Sequence, residues 1–323
     1  MTAYKKIEYW LYLCCFMVFA MAVIGAITRL TESGLSITQW QPISGTLPPL
    51  NEADWQKAFA LYQQTPEFIK KHHWMDMEDF KKIFFWEWLH RLWGRAIGIV
   101  YALPLVYFWV RKQIPAGYVL KLFGLLILGG SQGLLGWWMV KSGLIDRPSV
   151  SHFRLAAHLA LALVIYGLMF WVALDLRRKD KPASSYKTGD KVLSLVALLC
   201  LAVTIIWGAF VAGLHAGLVY NSFPLMNGNF TPDAAFSFAH SVQEPGWVQF
   251  MHRWLAIGTG MLLLALSWRA RYWPLAVMVF VQIGLGIATL LMQVPIHLAA
   301  THQAGAIILL SLTVIVAFKM IKR

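Results

Sequence analysis

Glu87 and His90 stand three residues apart in FFWEWLHRLWGR, residues 84–95. On a helix this spacing puts a carboxylate and an imidazole on one face. Arg91 and Arg95 follow, four apart, and an apolar run from Leu92 to Val110 comes next. The expectation is a membrane helix with ionisable groups in its first turns. Such groups are costly in a bilayer and point to function, although an isolated histidine with two arginines would equally suit side chains snorkelling to the interface. A near copy tips the balance. WEWLHRLWGRAIG (86–98) parallels VQFMHRWLAIGTG (248–260), which aligns His90 with His252 and Arg91 with Arg253. QGLLGWWMV followed by RLAAHLALA parallels QIGLGIATL followed by LAATHQAGA, which aligns His158 with His302.

Two histidines at similar depth on different helices, present in each repeat, suit the axial positions of a haem across a four-helix bundle. Zinc would normally need a third protein ligand, and none repeats. Copper is left open but lacks nearby thiolates. Trp86, Trp88 and Trp93 in one half, and Trp254, Gly258 and Gly260 in the other, offer apolar and small surroundings. Arg91 and Arg253 sit where they could steady haem propionates through charge-assisted hydrogen bonds. Arg147 and Arg154 are further candidates. The repeat breaks at one place: Glu87 is matched by Gln249. A carboxylate kept in one half only suggests a reactive N-terminal half and an electron-relaying C-terminal half. His152, His215, His240 and His297 are expected at the outer interface or in loops, and His72 and His73 in a solvated loop.

The elements that must position these residues are membrane helices. Of 323 residues, 59% are hydrophobic and 13% charged, about half the charged share of a soluble domain. Eight spans of the ~20 residues needed to cross a bilayer are expected at Trp10–Thr28, Leu89–Val110, Leu122–Val140, Leu155–Leu174, Val192–Leu214, Phe250–Trp268, Leu275–Val294 and Leu298–Phe318. The first run lacks a cleavage-site pattern and is expected to be retained. Lys and Arg cluster in alternate short loops, which predicts both termini on the cytoplasmic side. The net charge of +13 then reads as topology, with no nucleic acid as partner. The three cysteines, Cys14, Cys15 and Cys200, all lie in apolar runs, so no loop disulfide or cysteine zinc site is expected.

Two outer loops are long, Leu30–Phe85 and His215–Trp247, and the first contains a helical stretch from Glu52 to Lys82. The halves repeat in the same orientation: GAITRLTESGLS (25–36) parallels GAFVAGLHAGLV (208–219). The predicted fold is therefore all-α and polytopic, with two pseudo-twofold-related four-helix bundles. Residues 1–176 would form the N-terminal bundle, 177–191 a cytoplasmic linker and 192–323 the C-terminal bundle.

The run TRLTESGLSITQWQPISGTLPPL (28–50), with EWLHRLWGR, RLAAHL, AGLVYNSFPLMNG and FMHRWLA, resembles the haem A synthase family, in its alphaproteobacterial and mitochondrial branch. The resemblance covers nearly the whole chain. It implies an enzyme of a bacterial inner membrane that oxidises the C8 methyl of haem O to a formyl group through a hydroxymethyl stage, with water as oxygen source, to give haem A for cytochrome oxidase. It implies that Glu87, His90 and His158 form the substrate site, and that His252 and His302 ligate a haem b iron. It also implies partners: an electron acceptor, haem O synthase and cytochrome oxidase assembly factors. Another branch carries a cysteine pair in outer loops, which this chain lacks. The alternative is a di-haem b-type membrane electron-transfer cytochrome, which shares the histidines but not a reason for Glu87 against Gln249. A solute transporter should show matched helix breaks at mid-membrane, and a prenyltransferase aspartate-rich motifs; neither is present.

Overall fold

In lipid, backbone amides must be paired within the segment, so long apolar runs close into helices. The computed structural model describes residues 3–40, 44–145, 148–177 and 186–322. Its helices are α1 (Ala3–Leu30), α2 (Glu52–Gln63), α3 (Met77–Val110), α4 (Val119–Lys141), α5 (His152–Arg177), α6 (Thr188–Gly213), α7 (His240–Gln243), α8 (Pro245–Ala270), α9 (Trp273–Leu291) and α10 (Ile296–Ile321). All but α2 and α7 are long and apolar enough to cross a membrane, eight in all among the described residues. The expected all-α, eight-span class is met. Most of the linker, 178–185, lies outside the described residues, as does Arg147.

One boundary differs from expectation in a way that matters. α3 begins at Met77, twelve residues before the predicted span, and Asp76 caps it by accepting from the Asp79 amide at 3.0 Å. The charged residues Glu78, Asp79, Lys81 and Lys82 keep hydropathy low there, so a membrane-span reading misses this extension. Glu87 thus sits about three turns into the helix, not in its first turn, and does not cap it.

In the first half, α1 packs on α3 and α5, and α4 on α3 and α5, closing a ring in which α3 and α5 are diagonal. In the second half, α6, α8, α9 and α10 close an equivalent ring with α8 and α10 diagonal. The halves meet through α1 on α10, α5 on α6 and α5 on α10, a set of partners consistent with a pseudo-twofold exchange. Hydrogen bonds that cross between the halves include Tyr166 with Ser311 at 2.7 Å, Gln303 Nε2 to the Ala22 carbonyl at 2.8 Å and His152 Nε2 with the Val242 carbonyl at 3.0 Å.

The main buried cluster runs through both halves from the end that carries the chain termini to about mid-helix, at Leu163 and Ile307, and a smaller one of Ala156, Ala209, Phe210 and Val248 lies toward the other end. The main cluster contains Ile7, Leu11, Leu105, Leu122, Leu266 and Met320, all near the end of the helices that carries the chain termini. The long loops lie at the other end. There α2 and the extension of α3 form a small cap, in which Tyr62, Phe80, Ile83 and Phe84 pack against Ile37, Trp55 and Phe59.

Candidate functional site

His90 and His158 come from the diagonal helices α3 and α5, and His252 and His302 from the diagonal helices α8 and α10. Each imidazole rests on a glycine of a neighbouring helix. A Cβ on Gly25 would lie 3.2 Å from His90 Nε2, and one on Gly136 3.1 Å from His158 Cε1. In the second half a Cβ on Gly208 would lie 3.2 Å from His252 Cε1, and one on Gly286 3.0 Å from His302 Cε1. Any side chain at these four positions would crowd the ring. The second histidine of each pair is also gripped by a glutamine: Gln132 Nε2 donates to the His158 carbonyl, and Gln282 Nε2 to the His302 carbonyl, each at 2.9 Å.

All four histidines remain half-buried, since the main packed core lies toward the opposite end. His252 Nδ1 is buried without a hydrogen-bond partner. Among the described residues, no three His, Cys, Asp or Glu side chains gather to hold a metal ion. A diagonal pair of imidazoles, an unpartnered ring nitrogen on His252 and small residues beside each ring are a donor set that fits haem, whose iron takes one or two axial histidines.

Glu87 is 2% exposed and accepts three hydrogen bonds: from Ser36 Oγ at 2.7 Å, from the Ile37 amide at 2.6 Å and from Arg91 Nη2 at 2.5 Å. Arg91 in turn donates to the carbonyls of Ile37 at 2.7 Å and Gln39 at 3.0 Å. The pair therefore clamps the loop that follows α1. The other half uses the same clamp with the polarity of one member reversed. Gln249 Nε2 donates to the carbonyls of Ala216 at 2.9 Å and Tyr220 at 3.2 Å, and Arg253 Nη2 donates to Gln249 Oε1 at 3.1 Å and to the Tyr220 carbonyl at 2.9 Å. An acid stands where the loop offers donors, and an amide where it offers acceptors. The sequence contrast of Glu87 with Gln249 thus has a backbone counterpart.

Other residues singled out from sequence take varied places. Trp88 and Trp93 donate to the carbonyls of Thr46 and Met17, each at 2.9 Å, and so brace loop and helix. Trp254 packs on Phe230 and Phe250 at the surface. Gly258 has open space around it and Gly260 faces Ile283, so neither seats a histidine. Arg154 donates to the Trp138 carbonyl at 2.7 Å and lies 4.2 Å above the Trp138 ring.

His72 is not solvated: it is 6% exposed. Its Nδ1 meets Tyr62 Oη at 2.7 Å and its Nε2 meets Glu32 Oε2 at 3.0 Å. Lys71 Nζ holds Glu32 Oε1 at 2.8 Å, and His215, at the end of α6, comes within 4.0 Å of the same oxygen. Tyr62 also donates to Glu67 at 3.1 Å. The hydrogen bond from His72, followed by that from Lys71, holds the Glu32 carboxyl down at about 2. Burial pushes Glu67 up to about 8.

Gly25 and Gly208 are visible as a matched pair in the repeat, but their role in seating a histidine, and the roles of Gly136, Gly286 and the paired glutamines, are not read from the sequence. The shared spacing, Gln132 and Gly136 against Gln282 and Gly286, was the available signal.

Residues 8–314 match the family described as cytochrome oxidase assembly protein. The chain is 49% identical to the haem A synthase of Rhodospirillum centenum, covering 97% of this chain and 88% of that one. It is 46% identical to the haem A synthases of Nitrosospira multiformis (94% and 90% covered) and Mesorhizobium japonicum (93% and 86% covered). This chain belongs to the haem A synthase family.

Proposed function

We propose that the chain acts as a haem A synthase, oxidising the C8 methyl of haem O to a formyl group. In that reaction the substrate gains an oxygen, supplied by water, and gives up electrons and protons. The reading is supported above all by the diagonal histidine pairs, each imidazole seated on a glycine, with a carboxylate beside one pair only.

In this reading residues 1–176 form the substrate half, 177–191 a cytoplasmic linker and 192–323 the relay half. His90 and His158 position the iron of haem O. His252 and His302 would hold a haem b, which would supply a redox centre able to pass electrons toward an acceptor. Gln132 and Gln282 fix the helices that carry His158 and His302. Glu87 keeps a negative charge at the substrate and orders the loop over it, so that charge developing on the substrate edge meets a fixed carboxylate. Arg91 and Arg253 add positive charge at the outer end, where propionates would lie. The alternate basic loops support a reading with both termini in the cytoplasm and the histidine layer toward the outer side of a bacterial inner membrane. Haem O synthase and cytochrome oxidase assembly factors are the partners this role requires.

The test is pigment analysis of purified protein and of cells that make haem O. His252→Ala and His302→Ala should each abolish a six-coordinate, low-spin haem b signal. His90→Ala and His158→Ala should retain that signal and lose haem A. A protein that binds haem in both halves yet forms no haem A from haem O would return the assignment to a di-haem electron carrier.

A further inference from the structure

Between the outer ends of α3 and α4 lies a cleft of about 200 Å³, lined by Thr38 and Trp40 of the first outer loop, Arg91 of α3, and Trp137, Lys141 and Leu144 at and beyond the end of α4. Its two cations differ. Arg91 is committed to Glu87 and to the carbonyls of Ile37 and Gln39. Lys141 lies 5.2 Å above the Trp137 ring, is exposed, and has no carboxylate partner among the described residues. The positive charge left over in the cleft is therefore that of Lys141.

The cleft is placed by the histidine layer. Gly136, on which His158 rests, is on the same helix as Lys141, five residues earlier. That puts Lys141 about 7.5 Å further toward the loop end along α4. Arg91 directly follows His90. The lining is also confined to one half. Aligning Gln132 with Gln282 pairs Trp137 with Ile287 and Lys141 with Leu291. The C-terminal half keeps the arginine, Arg253, but has neither the α4 tryptophan nor the lysine.

We propose that this cleft receives the carboxylate edge of the substrate tetrapyrrole, with Lys141 as the cation that meets a propionate. The proposal rests on the functional reading above. Flat aromatic walls suit the apolar body of such a ligand, and an ammonium at the wet end suits its carboxylates. An exposed lysine on a flexible stem binds a carboxylate less firmly than a clamped arginine does. That suits a ligand that must enter and leave, and it explains why the half holding a resident haem has a leucine at this place. An anionic phospholipid headgroup shares the same chemistry, so the test must separate the two.

The experiment is an optical titration of haem O into the purified protein in nanodiscs of phosphatidylcholine alone, with the haem b spectrum of the C-terminal half as the folding control. Lys141→Gln should weaken haem O binding roughly threefold to tenfold, the range expected for losing one partly exposed charge-assisted contact. Lys141→Arg should restore it, and the haem O dimethyl ester should bind wild type and Lys141→Gln alike. If the wild-type protein binds haem O and Lys141→Gln binds it equally well, the cleft assignment falls while the functional reading stands. If Lys141→Gln weakens only the retention of added phosphatidylglycerol, the cleft is a lipid site and the proposal is again overturned. A wild-type protein that takes up no haem O would overturn both.

Discussion

Replacing Glu87 by Gln tests whether the polarity of the clamp, and not its shape, holds the first outer loop. The wild-type carboxylate accepts from Ser36 Oγ, the Ile37 amide and Arg91, at 2.7, 2.6 and 2.5 Å. An amide side chain keeps one oxygen, and its NH₂ then points at a donor. Ser36 Oγ and the Ile37 amide share Oε2, so an amide oxygen in that place keeps both, while the NH₂ replaces the oxygen that accepts from Arg91 Nη2 and meets the guanidinium donor to donor. A hydrogen bond to a charged group contributes about 1.5–3 kcal/mol, and a buried donor left unpaired costs about 1–3 kcal/mol. Arg91 also loses its counter-ion. A local loss of about 3 kcal/mol is expected, and at 1.4 kcal/mol per tenfold this is roughly a hundredfold faster opening of the loop. Hydrogen exchange of the peptide containing Ile37 measures it directly. Gln249→Glu should loosen the second clamp in the same way, because a carboxylate would then face the carbonyls of Ala216 and Tyr220. Exchange at Ile37 within threefold of wild type in Glu87→Gln would refute the clamp argument. Loss of haem A formation with that protection intact would show that the charge acts on the substrate independently of the loop.

Two further outcomes follow from the same geometry. Glu67 is raised by burial from the ordinary 4.5 to about 8, so the native state binds its proton more tightly than the unfolded chain does. Its contribution to cap stability is complete below pH 4.5 and is lost as pH rises through about 8; limited proteolysis of the loop between α1 and α3 should accelerate over that range, and Glu67→Gln should flatten the dependence. In α9, Gly286→Val should displace His302, since even a Cβ would come to 3.0 Å from the ring, and should weaken or abolish the low-spin haem b signal, whereas Gly284→Ala, with nothing within 4 Å, should leave that signal unchanged.

The helices were legible because each apolar run approaches the length of a bilayer crossing, and the histidine layer because the chain repeats itself. What escaped was whatever depends on contacts between distant segments. His72 reads as a loop residue beside three other polar positions, and only the fold brings Tyr62 and Glu32 to its two nitrogens. The repeat displayed Gly25 and Gly208 as matched, but not that each lies under a histidine of another helix. Glu87 against Gln249 was visible as an asymmetry of charge. The loop carbonyls and amides that accompany it have no signature in side-chain sequence, because every residue carries both groups. The sequence predicts helix up to Lys82, but not its separate start at Met77 or its unbroken run into the membrane span, although Asp76 followed by Asp79 marks a capped start.

The position of the main core has a consequence for the life history of the chain. Its tightly packed layer, from Ile7 and Leu11 on α1 to Met320 on α10, contains none of the four histidines. Cohesion of the eight helices therefore does not wait for a pigment, unlike a small zinc domain that stays unfolded until its metal arrives. The polypeptide can be inserted and its two halves joined first, with tetrapyrroles loaded afterwards into a scaffold that already stands. Supply of pigment would then limit how much of the protein works, not how much of it survives.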